Sequence, residues 1–203
     1  MKSKETRNLA ITAIFIAILI IQTFVPNIGY IRILPTLPAI TTIPLTMAVY
    51  GSLMGPKYGA SFGLIWGLTR LVVAYTQPGD LVSLLLFQNP VISLVPSILA
   101  GWLPGLITKQ LNNKDIKIKR ARYLFSGAVT SLTNTIMVIL LATLFFMYDP
   151  TLLASHMGQF SQGTPLFVIL VVSLGFNGLL EAIFTAVVVP IIVTPLNYVI
   201  KRA

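Results

Sequence analysis

Twelve of the fourteen basic residues of this chain fall in four short stretches, and long apolar runs separate those stretches. Lys2, Lys4 and Arg7 open the chain, and Lys57 stands alone. Lys109, Lys114, Lys117, Lys119, Arg120 and Arg122 form a cluster, and Lys201 and Arg202 close the chain. A helix needs ~20 mostly apolar residues to cross the hydrocarbon core of a bilayer. Six segments qualify, at about 7–25, 38–54, 57–75, 88–108, 121–147 and 166–199. The second is short and carries Pro38 and Pro44. With six spans, all four basic stretches fall on one face, and the positive-inside rule makes that face the cytoplasm. Only Arg32 and Arg70 remain for the outer side and the membrane. The expected fold is therefore an all-α membrane protein. It has six transmembrane helices, both termini in the cytoplasm, and a single domain over residues 1–203.

Composition supports that reading. The chain is 56% hydrophobic and 9% charged, against about 25% charged for an average soluble domain. Apolar residues come in runs rather than alternating, which argues against a β-barrel. There are no cysteines, so disulfides, thiolate metal sites and a cysteine nucleophile are excluded. The apolar run LAITAIFIAILIIQTFV after the basic N-terminus resembles a signal peptide. It exceeds the usual apolar core of about 7–15 residues and no small-x-small site follows, so it reads as a retained helix. The basic stretch KQLNNKDIKIKRAR lies between two spans. It reads as a topology determinant beside anionic lipid, not as a nucleic-acid site.

Gly59-Ala60-Ser61-Phe62-Gly63 matches the G-x-S-x-G elbow of serine hydrolases. That elbow needs a strand-to-helix turn with acid and histidine partners. The only histidine, His156, is expected on the opposite side of the membrane from Ser61. Close helix packing explains more. Gly51, Gly55, Gly59, Gly63 and Gly67 recur at every fourth position, and Pro56 and Lys57 divide them between two helices. Small residues at this spacing let helix backbones approach. No phosphate-binding loop, zinc motif or paired carboxylate occurs among the five acidic residues, so the chain does not read as an enzyme or a metal protein.

Polar groups at membrane depth remain, and such groups are costly and often functional. Arg70 lies about one and a half turns from the outer end of the third segment. Asn134 is near the middle of the fifth, with Thr130 and Ser131 a turn below. Asn177 and Glu181 share a face of the sixth, and Gln88 and Asn89 open the fourth on the outer side. Tyr75 completes the candidate set. A cation among amides and hydroxyls near the outer mouth suggests an anionic ligand, with Arg70 gripping a carboxylate. Simpler readings compete with this. Arg70 and Glu181 can neutralise each other as a buried pair, and Asn134 and Asn177 can join helices. Trp66, Tyr75 and Tyr30 suit an interfacial aromatic belt. Asp80 and His156 suit solvated loops.

Three stretches together bring a family into view. They are NLAITAIFIAIL, with Ala13 and Ala17 at A-x-x-x-A spacing, IPLTMAVYGSLMGPKYGASFGLIWGLT, and LFQNPVISLVPSILAGWLPG. With six spans and a proline-rich first outer loop, the chain resembles the S components of energy-coupling factor (ECF) transporters over nearly its whole length. It looks most like the pantothenate-specific members. The resemblance implies a vitamin-capturing subunit of the prokaryotic plasma membrane that binds substrate from outside under its outer loops. It implies docking on a transmembrane T component that carries two ABC-type ATPases, with toppling of the subunit to release substrate inside. The A-x-x-x-A face then assigns Ala13 and Ala17 to T-component contact. ATP is used by the partners and no cofactor is expected in this chain, consistent with its lack of a phosphate-binding loop. Riboflavin, folate or another B vitamin are rival substrates. A self-sufficient secondary transporter is the rival mechanism, although no internal repeat supports it.

Overall fold

A computed structural model of the chain describes residues 2–25, 28–31, 40–76, 81–111, 116–155 and 163–202. The described chain is overwhelmingly helical, as lipid demands of a backbone that must bond to itself. In order the elements are α1 (Lys2–Phe24), β1 (Tyr30–Ile31), β2 (Ile40–Thr41), α2 (Ile43–Met54), α3 (Pro56–Thr76), α4 (Leu81–Phe87) and α5 (Pro90–Gln110). There follow α6 (Ile116–Phe146), α7 (Thr151–Ala154) and α8 (Leu166–Leu170), then a π-helical turn over Val171–Gly175, and α9 (Phe176–Arg202). Each of the six apolar segments contains a helix, although Ile40–Thr41 of the second are strand. Among the described residues, four helical stretches are long and apolar enough to cross a membrane: Lys4–Phe24, Pro90–Gln110, Arg120–Phe146 and Leu166–Ile200.

The second segment is shorter than the sequence suggests. Helix α2 holds 12 residues, about 18 Å of rise, well under the ~30 Å of a hydrocarbon core. It is the centre of the bundle, in contact with α3, α5, α6 and α9. Neighbouring helices, not lipid, cover most of its surface, and nine of its residues are buried. Helix α1 is peripheral by comparison and rests chiefly on α2.

The glycine ladder is where the bundle closes most tightly. Gly55 joins α2 to α3 at φ 92°, a conformation that side chains disfavour, and Pro56 starts α3 where its missing N–H costs nothing. Beyond the turn, Gly59 and Gly63 lie directly against the backbone of α5. A Cβ on Gly59 would meet the carbonyl of Gly101, and one on Gly63 the carbonyl of Ser97. Ser61 lies on an exposed part of α3, and its hydroxyl donates to the Lys57 carbonyl at 3.0 Å. It is a helix-surface serine with no elbow around it.

The two chain ends meet. Arg7 near the start of α1 donates to the carbonyl of Ile200 near the end of α9 at 2.9 Å. Arg122 departs from the solvated topology charge expected of it. It is 5% exposed. It donates to the carbonyls of Thr108 and Leu111, at 3.3 and 3.2 Å, and to the Tyr123 hydroxyl at 3.0 Å. It thus caps the C-terminal end of α5, where carbonyls lack helical partners and the dipole is negative. Arg122→Ala should therefore lower stability by roughly 2 kcal/mol. Arg120→Ala, at an exposed neighbour, should stay within about 0.5 kcal/mol. Thermal unfolding of both variants in detergent compares them.

At the other end, the first outer stretch is not all loop. Strands β1 and β2 pair antiparallel, Tyr30 with Thr41 and Ile31 with Ile40. Gln22 of α1 braces the ribbon with both ends of its amide, donating to Thr42 Oγ1 and accepting from Thr46 Oγ1, each at 2.9 Å. Thr42 N in turn donates to the Gly29 carbonyl at 2.9 Å. Arg32, Pro38, Asp80 and His156 lie outside the described residues.

Candidate ligand-binding site

Arg70 lies in the C-terminal half of α3, one turn beyond Trp66. Its guanidinium carbon lies 4.5 Å from the Trp66 ring centroid and 3.7 Å from that of Phe87, at the end of α4. Both rings offer their faces to the cation, an attraction that strengthens away from water. Nη1 donates to Asn134 Oδ1 on α6 at 3.1 Å and approaches Ser97 Oγ on α5 at 3.4 Å. Four helices therefore fix one guanidinium, with two rings close to it. A planar fork held this way suits the two oxygens of a carboxylate.

Helix α9 supplies the opposing polarity. Glu181 is 5% exposed, and its Oε1 accepts from Thr41 N at 2.9 Å and Thr41 Oγ1 at 2.8 Å. The end of the outer ribbon is thereby tied to the middle of the bundle. One turn before Glu181, Asn177 Oδ1 is buried without a hydrogen-bond partner among the described residues. Asn177 lies two residues beyond the π-helical turn, a feature that frequently marks functional sites. Gly178 beside it packs on Thr135 of α6, which sets α9 close to the helix that carries Asn134.

The remaining expected residues lie differently. Asn89 caps α5, its side chain accepting from Val91 N at 3.0 Å, and so serves the helix start. Gln88 bonds back to the Ala74 carbonyl at 3.5 Å. Tyr75 is 65% exposed and donates to the Gln88 carbonyl at 3.3 Å. These three build the corner between α3 and α5, beside the Arg70 cage. Thr130 and Ser131 are consumed by packing: Thr130 bonds the Ser126 carbonyl and Ser131 meets Thr185 Oγ1. Trp66, expected in the interfacial belt, is 4% exposed and is a wall of the cage. Phe87, Ser97 and Thr41 escaped the sequence reading. Trp66 at i−4 from Arg70 was the one available signal, because that spacing shares a helix face.

Among the described residues no group of three or more His, Asp or Glu side chains could hold a metal ion, and no base stands by Ser61 Oγ. The arrangement can grip and orient a small polar molecule. A family model described as "ECF transporter, substrate-specific component" matches residues 7–193. The chain belongs to this family. This S component is also 36% identical over 149 residues to the "Pantothenate transporter PanT" of Leuconostoc mesenteroides subsp. mesenteroides, 72% of each chain being covered. It is 31% identical over 160 residues to the "Pantothenic acid transporter PanT" of Lactococcus lactis subsp. cremoris, covering 72% of this chain and 77% of that one. It is thus a transport protein rather than an enzyme, a multi-pass protein of the prokaryotic plasma membrane.

Proposed function

We propose that this S component captures pantothenate from outside and delivers it through an ECF complex. The observation that carries the reading is the caged Arg70, a single cation held by Trp66, Phe87, Asn134 and Ser97. Pantothenate has one carboxylate, one amide and two hydroxyls. Arg70 takes the carboxylate, and Asn134 fixes the guanidinium and is placed to meet the amide. Asn177 and Glu181 face the rest of the ligand, and Gln88, Asn89 and Tyr75 shape the rim. The pantothenate transporters named above support the choice of vitamin. Riboflavin is uncharged and would leave Arg70 without a task.

The topology belongs to the same proposal. Six helical segments, α1, α2, α3, α5, α6 and the α8–α9 stretch, cross or fill the membrane, with both termini in the cytoplasm. The contact of Arg7 with Ile200 supports termini on one face, and the four basic stretches support the cytoplasm as that face. Delivery requires docking on a T component that carries two ATPases, which consume ATP for the complex. Ala13 and Ala17 form the docking face. Both are exposed on α1, the peripheral helix, beside exposed Leu9 and Ile14, so a second helix can approach closely there.

Uptake into proteoliposomes tests the mechanism. Pantothenate should accumulate only when the T component, the ATPases and ATP are present. A double Ala13→Trp, Ala17→Trp variant should lose at least about tenfold in uptake rate while binding pantothenate as tightly as the parent, since bulk there blocks only the partner. Uptake by this chain alone under an ion gradient would instead favour a secondary transporter.

A further inference from the structure

The Arg70 cage accounts for one end of a ligand. On α9 lies an atom that the described residues leave unsatisfied. Asn177 Oδ1 is buried and has no hydrogen-bond partner among the described residues. Such an acceptor at membrane depth is costly, and native structures rarely leave one without a reason. The neighbouring carboxylate shows the contrast, because Glu181 Oε1 is satisfied twice by Thr41. Of this pair on one face of α9, the asparagine alone carries a buried acceptor with no partner among the described residues.

The local backbone places that atom. The π-helical turn over Val171–Gly175 ends immediately before Phe176 and Asn177. A π turn inserts one extra residue, and one residue of an α-helix is about 100° of rotation. The turn therefore resets which face of α9 carries Asn177 and Glu181, relative to a helix continued unbroken from α8. Gly178 then locks the new phase by packing on Thr135 of α6, next to the Asn134 that holds Arg70.

We infer that Asn177 is a specificity-determining residue whose Oδ1 accepts a hydrogen bond from a hydroxyl of the ligand. The ligand is thereby oriented with its anionic end on Arg70 and its donor end on α9. The inference rests on the pantothenate reading and adds a polarity to it. The β-alanine carboxylate lies at α3, and the dihydroxy-dimethylbutanoyl end lies at α9. Discrimination follows from the physics of an empty acceptor. A ligand with the hydroxyl satisfies the already buried Asn177 Oδ1 and gains that hydrogen bond, whereas a ligand without it leaves the acceptor unpaired and gains nothing there.

The experiment is calorimetric titration of the purified full chain in detergent with two probes. One is pantothenate. The other is N-(3,3-dimethylbutanoyl)-β-alanine, which keeps the carboxylate, the amide and the methyl groups and lacks both hydroxyls. The wild-type protein should prefer pantothenate by about ten- to a hundredfold, the range for leaving a buried acceptor unpaired. In Asn177→Leu, of similar shape and without the acceptor, that preference should collapse to less than about threefold, with most of the change in pantothenate affinity. Asn177→Ala repeats the test should leucine disturb packing against α6. Equal wild-type affinities for the two probes would overturn the inference, and so would an unchanged preference in a folded variant, which would assign Oδ1 to a buried water. Either result leaves pantothenate binding intact. Absence of pantothenate binding by folded wild-type protein would instead remove the substrate reading, and this inference with it.

Discussion

Replacing Arg70 with alanine should weaken pantothenate binding by at least about tenfold, because a hydrogen bond to a charged group contributes ~1.5–3 kcal/mol. The loss should exceed what the contact alone suggests. Asn134 Oδ1 and Ser97 Oγ, now bonded to the guanidinium, would face a vacancy at membrane depth. Arg70→Met separates charge from bulk, since it keeps an unbranched chain over Trp66 and Phe87. It should lose nearly as much affinity as alanine while unfolding closer to the wild-type temperature. Arg70→Lys should fall between, because an ammonium ion keeps the charge and loses the planar fork. The decisive readout is ligand charge. Wild-type protein should reject the neutral alcohol analogue of pantothenate, in which CH2OH replaces the carboxylate, and Arg70→Met should bind the two almost equally. Unchanged pantothenate affinity in folded Arg70→Ala would remove Arg70 from the site.

The second large effect lies at the helix crossing beneath the cage. Gly63→Val should destabilise the protein by about 3 kcal/mol or more, at the upper end of overpacking penalties. The atoms that a Cβ would meet belong to the α5 backbone, the Ser97 carbonyl and, at 2.9 Å, Ile98 Cα. No flexible side chain can yield there, so α3 and α5 must separate. Separation also draws Ser97 from Arg70, and ligand affinity should fall together with stability. Ser61→Ala, two residues away on an exposed part of the same helix, should leave both within about 0.5 kcal/mol of wild type. Thermal unfolding with and without pantothenate reads both quantities. A Gly63→Val protein of normal stability would mean that the crossing is looser than described.

These two sites also show how far the sequence could be read. The glycine spacing was legible because close backbone approach admits almost no other residue, and its period survives in the sequence unchanged. The long apolar runs were legible for the same reason: lipid tolerates little else. The length of helix α2 is not legible in composition, because a short helix enclosed by its neighbours is as apolar as one in lipid, and composition cannot tell protein from hydrocarbon. Arg70 and Asn134 stood out as isolated polar residues in apolar helices. Phe87 and Ser97 did not, because a phenylalanine or serine in a membrane helix has many ordinary uses, and only the fold brings these two to Arg70. Thr41 lies across 140 residues from its partner Glu181, with no local pattern to link them. Arg122 was assigned to the surface by its five basic neighbours in the 109–122 stretch, whereas its own place is set by the open carbonyls at the end of α5. The π-helical turn left no trace in VVSLG, since the extra residue there is another apolar one.

The central claim is that this chain alone is a high-affinity receptor for pantothenate. Equilibrium binding to purified protein in detergent tests it most directly, with pantothenate titrated beside riboflavin and folate. The account predicts one-to-one pantothenate binding with a Kd below about 1 μM, equivalent to ~8 kcal/mol, and no comparable binding of the other two. Well-folded protein that ignores pantothenate, or that prefers riboflavin or folate, would contradict it.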